Sequence, residues 1–155
     1  MAAGHHGSVP QMFAVLDLGT GYQILALLHI LSAVVAFGPL FLYPALRKAG
    51  QTETIAALHM RMSFPAMTLL WVLGMGLAGM SKPEGSDELI YKVSQGWLAG
   101  SIVLWVVLMV VSWFLIRPAL TDPSESATSK LMAGTGITHL GLIIGLVLMI
   151  WKPGL

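Results

Sequence analysis

Cysteine is absent from the 155 residues, and charge is scarce: Lys+Arg number 8 and Asp+Glu 7, together 10% of the chain. Without thiols the chain forms no disulfide, thiolate metal site or iron–sulfur ligation of its own. So few charges cannot clothe an ordinary water-soluble surface. A formal net charge of +1 offers no electrostatic footing for nucleic acid, so no nucleic-acid partner is expected. Met1 to Thr20 hold no Lys or Arg, and no small-residue cleavage site follows an apolar core there. That stretch is not expected to act as a cleavable signal. Phosphate-binding loops, nucleophile–base pairs and paired carboxylates are missing at membrane depth, which leaves hydrolase and transferase readings without support.

What fills the chain is apolar, with 56% hydrophobic residues and a mean hydropathy of +0.81. Four segments approach the roughly 20 residues that a helix needs to cross the hydrocarbon core: Tyr22 to Tyr43, Met62 to Met80, Trp97 to Ile116 and Leu131 to Trp151. Pro44 with Arg47, Lys48 and Gly50, then Lys82 to Gly85, then Arg117 with Pro118, Asp122 and Pro123 punctuate the breaks. Short breaks imply antiparallel neighbours, hence an all-α polytopic protein, an up-down-up-down four-helix transmembrane bundle. The second helix is expected to start ahead of the lipid, capped by Thr52 or Thr54, with Glu53 at its positive end. Residues 1–21 form an extracytoplasmic segment with a short interfacial helix over Val9 to Leu16, and 22–155 form the membrane domain.

Arg47, Lys48, Arg61, Arg117 and Lys130 lie by the first and third breaks, whereas Lys82, Lys92 and Lys152 lie on the other side. The positive-inside rule then puts both termini outside and those two loops in the cytoplasm. The expected location is a bacterial cytoplasmic membrane.

Two histidines lie inside these spans, and an ionisable group at membrane depth is costly and usually functional. Around His29 the helical spacings bring Tyr22, Ala26, Ser32, Ala33 and Ala36, a small or polar stripe that permits close approach. Around His139 they bring Met132, Thr135, Gly136 and Leu142. Both rings are expected to look inward, His29 about 10 Å and His139 about 18 Å below the outer boundary. Imidazoles projecting from different helices suit haem b, with His29 ligated opposite His139 or a methionine such as Met67 or Met132. The plainer role for each is a hydrogen bond that serves helix packing.

His59, near Arg61 and Pro65 at the cytoplasmic boundary, reads as solvated or facing headgroups. His5 and His6 make an adjacent pair able to hold copper or zinc loosely. The remaining methionines read as packing residues. Trp97, Trp113 and Trp151 fit an aromatic belt, while Trp71 and Trp105 fall mid-span, where the indole N–H needs a partner. Pro39 and Pro65 should loosen their helices. On the last span Gly134, Thr138, Gly141 and Gly145 share a face opposite His139. It is expected to point outward, toward a second copy or another membrane subunit.

The run Leu27 to Gly38, LLHILSAVVAFG, resembles the first span of small bacterial four-span proteins, including copper-resistance D-like and HemJ-type families and uncharacterised relatives. Gly96 to Ala99, the run to Arg117 to Leu120, and the closing Trp151, Lys152 and Pro153 resemble the uncharacterised relatives most. The resemblance implies association with haem and protoporphyrinogen oxidation, with His29 at a functional position. The HemJ-type third-span lysine has no counterpart, since neither Lys nor Arg occurs between Trp97 and Ile116. The leading expectation is therefore a non-enzymatic accessory or assembly subunit of an electron-transport complex. A protoporphyrinogen oxidase and a copper or small-solute transporter are the alternatives.

Overall fold

The computed structural model describes residues 18–83 and 87–153. The expected N-terminal interfacial helix and the His5 and His6 pair lie outside them. Four helices, each long and apolar enough to cross a membrane, run over Gly19–Lys48 (α1), Thr52–Gly79 (α2), Gly96–Ala119 (α3) and Glu125–Trp151 (α4). The bilayer is the solvent that such helices suit, because a helix pairs its backbone groups within one segment. α2 does begin at Thr52, ahead of its apolar run, but Gln51 is its N-cap and no side chain caps it. At α4 the cap is made: Ser124 Oγ accepts from the Ala127 amide at 3.1 Å.

α1 lies along α2 and α3 along α4, so the bundle is two antiparallel hairpins set side by side. They join most tightly at the end carrying the α1–α2 and α3–α4 turns. There Leu40, Tyr43, Ile55, Ile116, Ala119, Leu120, Ala127 and Leu131 form one buried core drawn from all four helices. Arg47, at the end of α1, ties the hairpins together. Its Nε donates to Thr128 Oγ1 at 3.0 Å, and its guanidinium also donates to the backbone carbonyls of Ala119 and Asp122. Those bonds satisfy carbonyls that the end of α3 leaves without helical partners.

Three of the helices change their winding near this tight end. α1 narrows to a 3-10 turn over Gly38–Leu42, and α2 and α3 widen to π turns over His59–Ser63 and Ser112–Ile116. Proline accounts for the positions. Pro39 sits in the first irregular turn, and Pro65 and Pro118 follow the other two closely. A proline ring lacks the N–H and crowds the carbonyl one turn earlier, so the turn ahead of it must open or tighten.

The glycine face of α4 corrects an expectation. It does not point outward but packs on α3 of the same chain. Thr138 is fully buried, and a Cβ on Gly134 would meet Ile116 Cγ1 at 2.6 Å and one on Gly141 would meet Leu108 Cδ2 at 2.6 Å. Small residues go where a neighbouring helix comes closest, and in this bundle that neighbour is α3. Lipid instead meets large side chains such as Val34, Val103, Phe114 and Ile150.

Candidate functional site

Away from the tight end the hairpins part and leave between them a half-open cavity of about 470 Å³. Cofactor and ligand sites span about 300–1,000 Å³ and are mostly apolar with a few placed polar groups. Here the walls come from all four helices, and the polar groups among them are few. His29, Ser101 and Lys152 are among these, with Tyr22 and Tyr91.

His29 is held from two directions. Its Nδ1 lies 3.0 Å from the carbonyl oxygen of Leu70 in α2. A carbonyl only accepts, so Nδ1 carries the proton and the neutral ring keeps the Nε2 lone pair. Gly74, one turn further along α2, makes room for the ring: a Cβ there would lie 3.1 Å from Cε1 and 3.5 Å from Nδ1. Imidazoles that bind metals commonly donate their second N–H to a carbonyl or carboxylate in this manner, which fixes tautomer and ring orientation.

The same cavity carries an aromatic wall. Trp71 and Trp105 stack with centroids 5.1 Å apart and planes 21° from parallel. Both line the cavity. Trp105 Nε1 donates to the backbone carbonyl of Met67 at 2.9 Å, which supplies the partner a mid-membrane indole needs. The two tryptophans are thus cavity surface rather than simple core filling. Met67 is almost fully buried and lines the same cavity, as does Met75.

At the cavity's far end Tyr91, from the α2–α3 connection, joins the lining. Ser81 Oγ donates to the Ala78 carbonyl at 2.7 Å and accepts from the Tyr91 amide at 3.0 Å, which pins that loop under the bundle. Tyr91 then packs edge-on to Trp97 with centroids 5.3 Å apart. Trp97 is buried, its Nε1 donating to Gln95 Oε1 at 3.2 Å, so it belongs to the cavity rather than to a membrane belt. Trp151 and Trp113 remain exposed, as a belt requires.

The four residues considered as cofactor ligands separate into two groups. His29 and Met67 share the cavity. His139 does not line it: the ring stacks on Phe41 of α1, centroids 4.0 Å apart, beside an exposed phenyl face. Its Nε2 is buried and has no hydrogen-bond partner among the described residues. Met132 lies at the tight end, in a cleft with Pro44, Arg47 and Thr128. A pairing of His29 with His139 or Met132 across one ligand is therefore not assembled. The helical phase of α4 is the reason, because its glycine face, not its histidine face, takes the inward position.

His59 corrects a second expectation. It is fully buried, not solvated. Nδ1 lies 3.1 Å from the Tyr43 hydroxyl and Nε2 lies 2.9 Å from Ser112 Oγ, while Tyr43 also donates to Ser63 Oγ at 3.4 Å. One consistent direction of donation runs from Ser112 to Nε2, from Nδ1–H to Tyr43, and from Tyr43 to Ser63. The network joins α1, α2 and α3 at the level of their irregular turns. The lone hydroxyls Ser63 and Ser112 inside apolar runs were the available signal for it.

Among the described residues no group of three or more His, Cys, Asp or Glu could hold a metal ion. No family model matches the chain, and neither a curated protein nor a solved structure matches it. The fold and cavity define a class, a multi-pass membrane bundle with a ligand-sized chamber between its hairpins.

Proposed function

We propose that this protein is a non-enzymatic membrane subunit that holds a flat apolar cofactor, haem b or a close tetrapyrrole relative, between its hairpins and serves an electron-transport assembly of a bacterial cytoplasmic membrane. The observation that carries the reading is His29, a cavity-lining residue whose Nδ1–H is committed to the Leu70 carbonyl, which leaves the lone pair of the neutral ring on Nε2. The donor chemistry would suit haem iron, which His29 would hold through its free nitrogen, and Met67 and Met75 offer soft sulfur in the same chamber. Trp71 and Trp105 give the planar body a surface to lie against. When bound, haem supplies one-electron redox chemistry. The chain's own part is to orient the imidazole through Leu70 and Gly74 and to exclude water with its aromatic walls.

The test is haem titration of the purified protein in neutral detergent, read by the Soret band. His29→Ala should weaken binding by more than the roughly 10- to 100-fold that losing a supporting partner of a metal ligand costs. Met132→Ala should leave the titration unchanged. A protein that stays colourless when titrated with haem, with its helical content intact, sinks the reading. Turnover of protoporphyrinogen by the isolated chain would replace it with the oxidase, and a stable monomer without partners in mild detergent would remove the subunit role.

A further inference from the structure

Lys152 ends α4 in a left-handed turn, φ 42° and ψ 58°, with its amide donating to the Leu148 carbonyl at 3.0 Å. It is the one non-glycine residue with positive φ among those described. Left-handed backbone is costly for a residue with a Cβ, and glycine is the usual occupant of such a cap. The turn has a consequence for the cavity: the chain folds over the start of α3, where a Cβ on Gly96 would lie 3.7 Å from the Pro153 carbonyl. The lysine side chain is thereby laid across the cavity's aromatic end. Its Nζ donates to the Tyr91 hydroxyl at 2.7 Å. The ammonium sits 4.4 Å from the Tyr91 ring centroid and 5.8 Å from that of Trp97.

A helix cap alone does not need this placement, since a lysine at the end of an outer helix can extend its head into water. Here the head is drawn inward over two rings, at the rim of a chamber whose other basic side chain, among the described residues, is His29. Tyr22, in the same cluster as Tyr91 and Trp97, and His29 are on one helix, about 10 Å apart along its axis. The chamber thus has a cation at its boundary end and an imidazole about 10 Å along α1 from Tyr22, with apolar and aromatic walls between.

We infer that the occupant carries a carboxylate that Lys152 receives, so that the ligand class is an amphipathic planar acid lying with its acid end at the membrane boundary. This rests on the haem reading above and narrows it. A free-acid tetrapyrrole fits, whereas a neutral quinone or an esterified porphyrin leaves the ammonium without an anion. The same ammonium chemistry would suit an anionic lipid headgroup, which is the other source of such a charge.

The experiment compares ferric haem b with its dimethyl ester, titrated against the full-length protein in a neutral detergent. The parent chain should bind the free acid about tenfold more tightly, the scale of one hydrogen bond between charged groups. Lys152→Gln should remove the difference by weakening the free acid alone, and Lys152→Arg should keep it. The Soret position should be the same throughout, because His29 is untouched. Equal affinity of the parent for acid and ester overturns the role of Lys152 and leaves the haem reading standing. Binding of neither overturns both. A repeat with phosphatidylglycerol separates the two anions: if the lipid brings the free acid down to the ester's affinity, Lys152 belongs to the headgroup and the inference fails.

Discussion

His59 and His29 lie on the paired helices α2 and α1, both within the bundle, and they do opposite things with their nitrogens. His59 spends both, on Tyr43 and Ser112, in a region where the helices meet without a gap. His29 commits one, to Leu70, and its ring lines a chamber. A fully satisfied buried imidazole is a packing element with nothing left to offer a ligand. A half-satisfied one with a fixed tautomer still has a nitrogen to offer. The comparison teaches that depth in the membrane is a poor guide to a histidine's role, and that the inventory of its hydrogen bonds is a better one.

The largest effect expected from breaking that contrast is at His59. His59→Ala leaves the Tyr43 and Ser112 hydroxyls without their partner in a buried site, which should cost about 3 kcal/mol or more of stability. Unfolding in mixed micelles measures it, and the protein that remains folded should bind haem as the parent does. Gly134→Ala comes next. The methyl group would press on fully buried Ile116, for an expected cost of about 1–3 kcal/mol. Gly136→Ala, with open space around its Cβ, should be neutral or stabilise by about 0.5–1 kcal/mol. If the two behave alike, the α3–α4 interface is not where the structure puts it.

Gly74→Ala sharpens the other side of the comparison, because it crowds the His29 ring while leaving the tight end alone. Haem affinity should fall about tenfold, at the lower end of what disturbing a ligand's support costs, with little change in melting. Unchanged affinity would mean that the ring needs no such seat. The smallest effect concerns Asp122, exposed in the α3–α4 turn. The Ser124 amide, donating to Oδ1 at 2.8 Å, holds its carboxyl below the usual carboxylate value, with the Ser124 side chain and the charges of Arg47 and Lys130 helping. A lowered folded value means that this contribution is full above the ordinary pKa of about 4 and is lost as pH falls through the folded one. Melting of the parent should therefore drop slightly more than that of Asp122→Asn below about pH 4. Parallel curves would remove Asp122 from the turn's support.

Much of this was open to reading from the chain. Runs of apolar residues broken by Pro, Gly and charge mark the four helices, and the small stripe of Ala26 and Ala33 places His29 toward its neighbours. Pro39 and Pro65 mark helices that do change their winding. His59 escaped because proximity to Arg61 suggests a solvated ring, yet adjacent side chains on a helix point in different directions: Arg61 faces out while His59 faces in. His139 was misplaced for a related reason. Two faces of α4 were eligible to go inward, and the phase of one helix alone cannot rank them. Packing against α3 ranks them, since only the glycine face admits Ile116 and Leu108 closely.

The sequence by itself determined the solvent, the number of spans and their antiparallel order, because these depend on local hydropathy and on short connections. Only the tertiary structure decided which histidine is available to a ligand. Availability depends on partners far away in the chain: Leu70 and Gly74 for His29, Tyr43 and Ser112 for His59, Phe41 for His139. Hydropathy is a property of each segment, whereas a spare lone pair at a cavity exists only after the segments have met.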